Sequence, residues 1–190
     1  MALIEVRNLT FSYPGCFDVI FDDVSFSIDT NWKLGFVGRN GKGKTTFLNL
    51  LMNKYDYQRT INSSVDFEYF PFEVHNPEKT PYEIASEINP DLEENYEYWK
   101  LDREVSLLGM DPDQVLNLPF NILSKGEQTK ILLAILFTKD DKFLLIDEPT
   151  NHLDSESREV VANYLNSKNG FILVSHDRNF LDNCIDHVLS

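Results

Sequence analysis

The sequence predicts an α/β fold in which a parallel sheet forms the core, an antiparallel β edge precedes it, and a helical segment is inserted into it. Three observations support this prediction. A glycine-rich loop at residues 38–45 lies between a short apolar strand and an amphipathic helix. Two more continuous apolar strands come later in the chain. Between the loop and those strands, residues 73–122 contain apolar side chains mostly at helical spacing.

The first two elements are strands in which apolar and polar residues alternate. Residues 3–13 and 19–28 follow this pattern, and Pro14 and Gly15 mark a turn between them. Two such strands ahead of the glycine-rich loop indicate an antiparallel edge laid against a parallel core.

The glycine-rich loop fits the pattern G-x-x-x-x-G-K-[ST]. Residues 33–37 form a strand before it and residues 44–52 a helix after it, as a phosphate-binding loop requires. Its glycines let backbone N–H groups surround a phosphate, and the helix N-terminus adds unpaired donors. We expect Lys44 to reach the β- and γ-phosphates of a nucleoside triphosphate and Thr45 to hold Mg²⁺.

The predicted nucleotide site extends beyond the loop itself. Tyr13, at the end of the first strand, either offers its ring to the base or is an ordinary turn aromatic. The residues predicted to bind the nucleotide are Tyr13, Gly38, Asn40, Gly41, Lys42, Gly43, Lys44, Thr45 and Thr46.

The middle of the chain opens with one more strand and then changes character. Residues 65–70 alternate again, and Pro71 closes the strand. Thr80 and Glu83 have the spacing of a capping box, which predicts a short helix that continues to Ile88.

A longer helix is predicted over residues 92–108, with Tyr96 and Trp99 among its packing positions. We therefore interpret residues 73–122 as a helical subdomain inserted into a single nucleotide-binding domain that spans residues 1–190.

Two further helices are predicted from their capping residues. Ser124 and Glu127 form a second capping box ahead of an amphipathic helix over residues 130–137. Asp154 is expected to cap the helix that begins at Ser155.

Polar residues follow two apolar strands at their carboxyl ends. Residues 142–146 lead into Asp147 and Glu148, and residues 171–174 are followed by His176. In a parallel sheet these ends share the edge that carries the glycine-rich loop. Because Glu148 precedes a proline, we expect its backbone to stay extended.

This edge has the residues for phosphate hydrolysis. Asp147 could reach the magnesium held by Thr45, and Glu148 could orient or deprotonate the attacking water. His176 is placed to contact the γ-phosphate, so the predicted catalytic residues are Glu148, His176 and Lys44. The remaining histidines are expected to be structural: His75, His152 and His187.

These motifs, in this order, resemble those of an ATP-binding cassette (ABC) ATPase, a P-loop NTPase. Residues 38–45, 123–127 and 143–148 are similar to Walker A, the signature and Walker B. Residues 151–154 and 175–177 are similar to the D-loop and the H-loop. The resemblance implies a mixed sheet with a parallel RecA-like core, an antiparallel β edge and an inserted α-helical subdomain. It also implies ATP and Mg²⁺ as ligands.

The resemblance implies that two cassettes enclose ATP head to tail. Ser124, Gly126 and Glu127 would then face the ATP bound to the opposite cassette, and Asp154 would help to join the pair. Tyr13 is similar to the aromatic residue that stacks on adenine. The second cassette would be supplied by the same polypeptide or by a homodimer. We expect this chain to be the first cassette of a longer, two-cassette protein.

Within the family, the ABC-F class is most similar, and its members lack membrane domains and act on ribosomes. The run Asp-Glu-Pro-Thr-Asn-His-Leu-Asp at residues 147–154 and the signature ending in Glu127 are typical of it. The stretches 99–101 and 124–130 further resemble the antibiotic-resistance branch that protects ribosomes. Two alternatives stay open: the ATPase subunit of a membrane transporter, and a nucleotide-gated clamp with negligible hydrolysis. The clamp is considered because Phe72 stands where the family usually has a glutamine.

Charge and hydropathy narrow the expected partners. The chain has 31 Asp and Glu against 17 Lys and Arg, a net charge of −14. Such a chain is unsuited to gripping nucleic acid, so contact with the ribosome or rRNA is expected through segments outside these residues. No stretch approaches the roughly 20 apolar residues of a membrane span, so we expect a cytoplasmic protein without membrane insertion.

Overall fold

A computed structural model describes residues 3–37, 43–56 and 58–190 of the chain. The chain divides into two compact units, which we name the sheet unit and the helical unit. The sheet unit comprises Met1–Tyr69, Asp141–Glu148 and Lys168–Ser190, and the helical unit comprises Phe70–Asp140 and Pro149–Ser167. Among the helices of the described ranges, none is long and apolar enough to cross a membrane.

The antiparallel strands form a three-stranded sheet of their own. Its strands are β1 (Leu3–Ser12), β2 (Val19–Asp29) and β4 (Gln58–Ser63), in the order β2-β1-β4. Val6 pairs with Phe26 of β2 on one side and with Ile61 of β4 on the other. β4 is not predicted from the sequence, because Ile61 is its only apolar residue and no alternation marks it.

The second sheet has five strands in the order β5-β6-β7-β3-β8. They are β3 (Lys33–Phe36), β5 (Asp66–Phe70), β6 (Lys142–Asp147), β7 (Phe171–Val174) and β8 (His187–Leu189). β6, β7, β3 and β8 pair in parallel, so the carboxyl ends of β3, β6 and β7 share one edge. The predicted α/β fold with a parallel core and antiparallel strands is therefore confirmed.

Two helices complete the sheet unit. α1 (Lys44–Leu51) buries Phe47, Leu48 and Leu50 in a core that both sheets share. α8 (Arg178–Cys184) follows β7 and is capped by Asp177, whose side chain accepts from the Phe180 amide. α8 is not predicted from the sequence.

The helical unit contains six α-helices and one 3₁₀ turn among its residues, all of which are described. They are α2 (Pro81–Ile88), α3 (Asp91–Glu94), α4 (Trp99–Leu107), α5 (Pro112–Val115), α6 (Lys125–Phe137) and α7 (Ser155–Asn166), with the turn at Phe120–Ile122. Both predicted capping boxes are present, Thr80 with Glu83 at α2 and Ser124 with Glu127 at α6.

The single helix predicted over residues 92–108 is wrong, because the chain breaks between α3 and α4. Tyr96 has a φ of +56° and is 89% exposed, and Trp99 is also exposed, so neither packs as expected. The break allows Leu92 and Leu101 both to be fully buried. Nine residues apart on one continuous helix, these side chains would point to opposite faces.

Candidate functional site

The polar residues of the sheet unit gather where its parallel strands end. α1 begins at Lys44, shortly after β3, and β6 ends at Asp147, followed by Glu148. His176 comes two residues after the end of β7. Because β6, β7 and β3 are neighbours, these three chain segments meet at one edge of the sheet.

Only the last part of the predicted phosphate loop belongs to the described residues. Gly38, Asn40, Gly41 and Lys42 lie outside them. Gly43 is the N-cap of α1 with a φ of +87°, and a Cβ there would come within 2.6 Å of Ile20. Both the backbone angle and the space therefore require glycine at this position.

The first turn of α1 is suited to an anion. Lys44 and Thr46 are buried, with Lys44 only 9% exposed. Within the described part of the chain no side chain caps α1, and its first turn has no acidic residue. The N–H groups of this turn and the positive end of the helix dipole are therefore suited to a phosphate group.

Asp147 Oδ2 accepts hydrogen bonds from two hydroxyl groups, whereas Oδ1 accepts none from the described residues. Thr45 Oγ1 donates to Asp147 Oδ2 over 3.0 Å, and the Tyr69 hydroxyl donates to the same atom over 2.6 Å. Asp147 Oδ1 is buried and has no hydrogen-bond partner among the described residues. Burial of Tyr69 and its bond to Asp147 raise the pKa of Tyr69 well above its usual range, so the hydroxyl keeps its proton.

An unpaired buried carboxylate oxygen beside a threonine hydroxyl fits a magnesium ion. Buried polar atoms are normally satisfied, so Asp147 Oδ1 calls for a ligand. Mg²⁺ is commonly bound by one or two protein oxygens together with water and substrate phosphates. The described ranges contain no group of three or more His, Cys, Asp or Glu residues that could hold a metal ion.

Glu148 and His176 are hydrogen-bonded to each other. Glu148 Oε2 accepts from the ring Nδ1 of His176 over 2.8 Å and from the His176 amide over 3.3 Å. The Glu148 amide donates to the Val174 carbonyl, which fixes its backbone against β7. The expectation of an extended Glu148 is wrong: its φ is +50°, a conformation that costs free energy in a non-glycine residue and is common at functional sites.

Tyr13 is tied to the start of α1. Its hydroxyl lies 2.6 Å from Thr46 Oγ1, and its ring makes edge contacts with Phe11 and Tyr55 at centroid distances of 5.2 and 5.6 Å. The side chain is half-buried. Tyr13, the residue predicted to contact adenine, thus lies next to the start of α1.

The signature residues and the D-loop residue lie in the helical unit. Ser124 Oγ accepts from the Glu127 amide over 3.2 Å, and Glu127 returns the bond to the Ser124 amide over 2.7 Å. Asp154 caps α7 by accepting from the Ser157 amide over 2.8 Å, which lowers the pKa of Asp154.

Gly126 is not required by the packing of its own unit. A Cβ at this position would lie 3.5 Å from the His152 carbonyl oxygen and 3.7 Å from Leu153, which are ordinary contacts. A glycine that its own neighbours do not demand is consistent with the close approach of another molecule to the backbone.

The structure thus joins Thr45 to Asp147, Glu148 to His176 and Tyr13 to Thr46 in the sheet unit. It places Ser124, Gly126, Glu127 and Asp154 in the helical unit. Tyr69 is not predicted as a site residue from the sequence, because it lies in an ordinary alternating strand and no motif marks it. Of the histidines expected to be structural, His187 stacks on Trp32 with ring centroids 4.0 Å apart.

The sequence was compared with protein-family models and with curated proteins. The model described as ABC transporter matches residues 21–151. An ATP-binding protein Uup-like of Haemophilus influenzae is 32% identical over 188 residues, covering 95% of this chain and 40% of its own. The ribosome protection protein VmlR of Bacillus subtilis is 33% identical over 184 residues, covering 94% and 32%.

A third relative is the ATP-binding cassette sub-family F member 2 of Bos taurus, which is 30% identical over 182 residues, covering 92% of this chain and 28% of its own. The chain thus spans less than half the length of these curated relatives. Among solved structures, an inward-facing metal-chelate-type ABC transporter matches with a TM-score of 0.79 and 22% identity. That match covers 99% of this chain and 78% of the other, and it concerns the fold alone.

Proposed function

The chain belongs to the ABC transporter family, and we propose that it is the ATP-binding and ATP-hydrolysing cassette of an ABC-F protein that acts on the ribosome. The observation that most supports ATP chemistry is the contact of Thr45 with Asp147 at the start of α1, with Asp147 Oδ1 left open. Glu148 and His176 lie at the same edge of the sheet.

In this proposal the start of α1 binds the phosphates. The Lys44 ammonium pairs with the β- and γ-phosphates, and the backbone N–H groups after Gly43 donate to them. Tyr13 stacks on adenine, because Thr46 holds its hydroxyl beside the phosphate-binding helix. Magnesium, held by Thr45 and Asp147, would neutralise charge on the phosphate oxygens.

Hydrolysis depends on the pair formed by Glu148 and His176. Glu148 orients the attacking water and accepts its proton. His176 holds the Glu148 carboxylate through Nδ1–H, and with both ring nitrogens protonated its Nε2–H would donate to an oxygen of the γ-phosphate.

A complete site needs a second cassette. Ser124 and the backbone at Gly126 would contact the γ-phosphate of the ATP bound to the other cassette, at the N-terminus of α6. Glu127 holds Ser124 in position through the capping box, and Asp154 lies on the loop that would join the two cassettes. The packing of its own unit does not require a glycine at position 126, which fits this arrangement.

The ATPase proposal is tested by replacing Glu148. We expect Glu148→Gln to bind ATP with normal affinity and to release phosphate at least about 100-fold more slowly, the scale of a lost general base. Lys44→Ala is the matched binding variant, and it should lose tight ATP binding. Unchanged turnover in Glu148→Gln would remove Glu148 from the mechanism.

The ribosome part of the proposal rests on relatives and on motif. A relative named for ribosome protection covers 94% of this chain, and another is named as a sub-family F member. The run at residues 147–154 and Glu127 in the signature fit the same class. In this proposal the chain is one nucleotide-binding domain, with residues 73–122 as its inserted subdomain, within a cytoplasmic protein of two cassettes.

A membrane transporter ATPase is the second candidate, supported by the family model and by the fold of a solved transporter. Fractionation of a lysate containing the Glu148→Gln protein and ATP separates the two. ATP-dependent sedimentation with ribosomes is the expected result, whereas recovery with membranes would establish the transporter alternative.

A clamp without hydrolysis is the third candidate, because Phe72 offers no oxygen where the family usually has glutamine. A clamp of this kind would bind its partner only with ATP. The extent of binding and the lifetime of the complex would be the same for the wild-type protein and Glu148→Gln.

A further inference from the structure

The hydroxyl of Tyr69 has no role in the mechanism above, although it donates a 2.6 Å hydrogen bond to Asp147, the residue that would bind magnesium. We propose that Tyr69 is a positioning residue that fixes the Asp147 carboxylate so that Oδ1, and not Oδ2, faces the metal. This inference rests on the proposed ATP and magnesium site, and it adds to that site a residue which no motif marks.

Hydrogen bonds are divided unevenly between the two oxygens of Asp147. Thr45 and Tyr69 both donate to Oδ2, at 3.0 and 2.6 Å, and Oδ1 has no partner among the described residues. The Thr45 hydroxyl has one proton and two lone pairs, so it can donate to Asp147 and still offer a lone pair to a cation. Tyr69 supplies the second donor that fills Oδ2.

Tyr69 is itself held in place. It lies on β5, which neighbours β6, the strand that ends in Asp147. Its ring is half-buried against the core of the sheet unit, and the Lys54 ammonium lies 4.8 Å from the ring centroid. A hydroxyl on a fixed ring gives a fixed direction to the bond, as is usual for groups that orient metal ligands.

Without the Tyr69 hydroxyl, Thr45 would be the one side-chain donor left to the carboxylate among the described residues. Rotation of the carboxylate would then let either oxygen accept from Thr45, and the metal-facing oxygen would no longer be defined. The prediction is a weaker contribution of the metal to nucleotide binding, with the metal-free affinity for nucleotide unchanged.

The test measures the affinity of the purified protein for a non-hydrolysable ATP analogue by calorimetry, once with Mn²⁺ and once with EDTA. The dissociation constant in EDTA divided by that in Mn²⁺ gives the factor by which the metal tightens nucleotide binding. Tyr69→Phe keeps the ring and removes only the hydroxyl, and we expect it to lower this ratio by about tenfold, the scale reported for residues that orient metal ligands. The dissociation constant in EDTA should match the wild type.

Tyr82→Phe is the matched control. Tyr82 also donates to an aspartate over 2.6 Å, in this case Asp102 of the helical unit. Removal of the Tyr82 hydroxyl should leave the ratio of dissociation constants at the wild-type value. A second control combines Tyr69→Phe with Asp147→Asn: if Tyr69 acts through Asp147, the combined variant should have the same ratio as Asp147→Asn alone.

The outcomes distinguish this inference from the function on which it rests. A wild-type ratio near one would contradict the magnesium site itself. If the wild-type ratio is large and Tyr69→Phe retains it, the role of Tyr69 is overturned and the magnesium site stands. The role of Tyr69 is likewise overturned if Tyr69→Phe lowers the ratio equally in the wild-type and Asp147→Asn backgrounds. If Tyr69→Phe does not fold, 4-aminophenylalanine and 4-fluorophenylalanine at this position keep the ring, and only the amino form should preserve the ratio.

Discussion

In each unit a tyrosine donates a hydrogen bond to a carboxylate. The two carboxylates differ in whether their second oxygen has a hydrogen-bond partner among the described residues. Tyr69 donates to Asp147 over 2.6 Å in the sheet unit, and Tyr164 donates to Glu104 over 2.6 Å in the helical unit. Glu104 is paired on both oxygens, because Arg103 donates to Oε1 over 2.9 Å. Asp147 keeps one oxygen without a partner in the described part of the chain.

The difference separates a carboxylate that stabilises the fold from one that is prepared for a ligand. Glu104 is fully buried between α4 and α7, and burial with the Glu104 charge raises the pKa of Tyr164 well above its usual range. A buried charge is tolerated there because its hydrogen bonds are complete. Asp147 Oδ1 has no partner among the described residues, and this is where the proposed magnesium site would place the cation.

The largest expected effect comes from neutralising Asp147. Asn keeps an oxygen for Tyr69 and Thr45 and removes the charge that binds the metal. We expect Asp147→Asn to lower ATP turnover by about 10³-fold, since a metal ion supplies several kcal/mol of charge stabilisation. The free energy of unfolding, measured in urea, should stay within about 1 kcal/mol of the wild type. A large loss of stability would mean that Asp147 is structural as well.

The converse effect is expected at Glu104. Glu104→Ala leaves a cavity and removes the carboxylate that accepts from the Tyr164 hydroxyl, so the free energy of unfolding should fall by about 2–5 kcal/mol. Affinity for ATP under folding conditions should not change. Glu104→Gln is the control that retains an acceptor for Tyr164, and its loss should be smaller. Equal losses for Ala and Gln would show that the charge, and not the hydrogen bond to Tyr164, is what matters.

A more modest effect is expected when only the tyrosine hydroxyl of the structural pair is removed. Tyr164→Phe leaves Glu104 Oε2 buried without this donor and should cost about 1–3 kcal/mol of unfolding free energy. Its ATP turnover should equal that of the wild type. Impaired turnover in a folded Tyr164→Phe protein would contradict the division between the two carboxylates.

The smallest effects should come from the two capping boxes of the helical unit, which make the same comparison with neutral groups. Ser124→Ala and Thr80→Ala each remove one cap and should each cost about 1 kcal/mol of unfolding free energy. Only Ser124→Ala should also reduce ATP turnover, because we place Ser124 against the γ-phosphate of the opposite ATP. Equal turnover in the two variants would leave Ser124 with its capping role alone.

The sequence is informative about features that depend on local spacing. The capping residues Thr80 and Ser124 can be recognised from a glutamate three positions later, and both boxes form as predicted. The proximity of Thr45 and Asp147 could be inferred, because parallel strands bring their carboxyl ends to one edge. The residue roles assigned from motifs remain predictions.

Features that depend on tertiary packing could not be read in this way. The break at Tyr96 exists because Leu92 and Leu101 must both be buried, and the spacing of apolar residues alone suggests one helix. β4 is recognisable only through its pairing with β1. The contact of Tyr69 with Asp147 requires β5 to lie beside β6, which the order of strands along the chain does not reveal.

The measurement that tests the central claim most directly is the affinity of the wild-type protein and of Asp147→Asn for a non-hydrolysable ATP analogue, with Mg²⁺ and with EDTA. If Asp147 Oδ1 is the open position of a magnesium site, Mg²⁺ should tighten binding to the wild type by at least about tenfold and have little effect on the variant. Equal tightening by Mg²⁺ in both proteins would contradict the assignment of the unpaired oxygen to the metal.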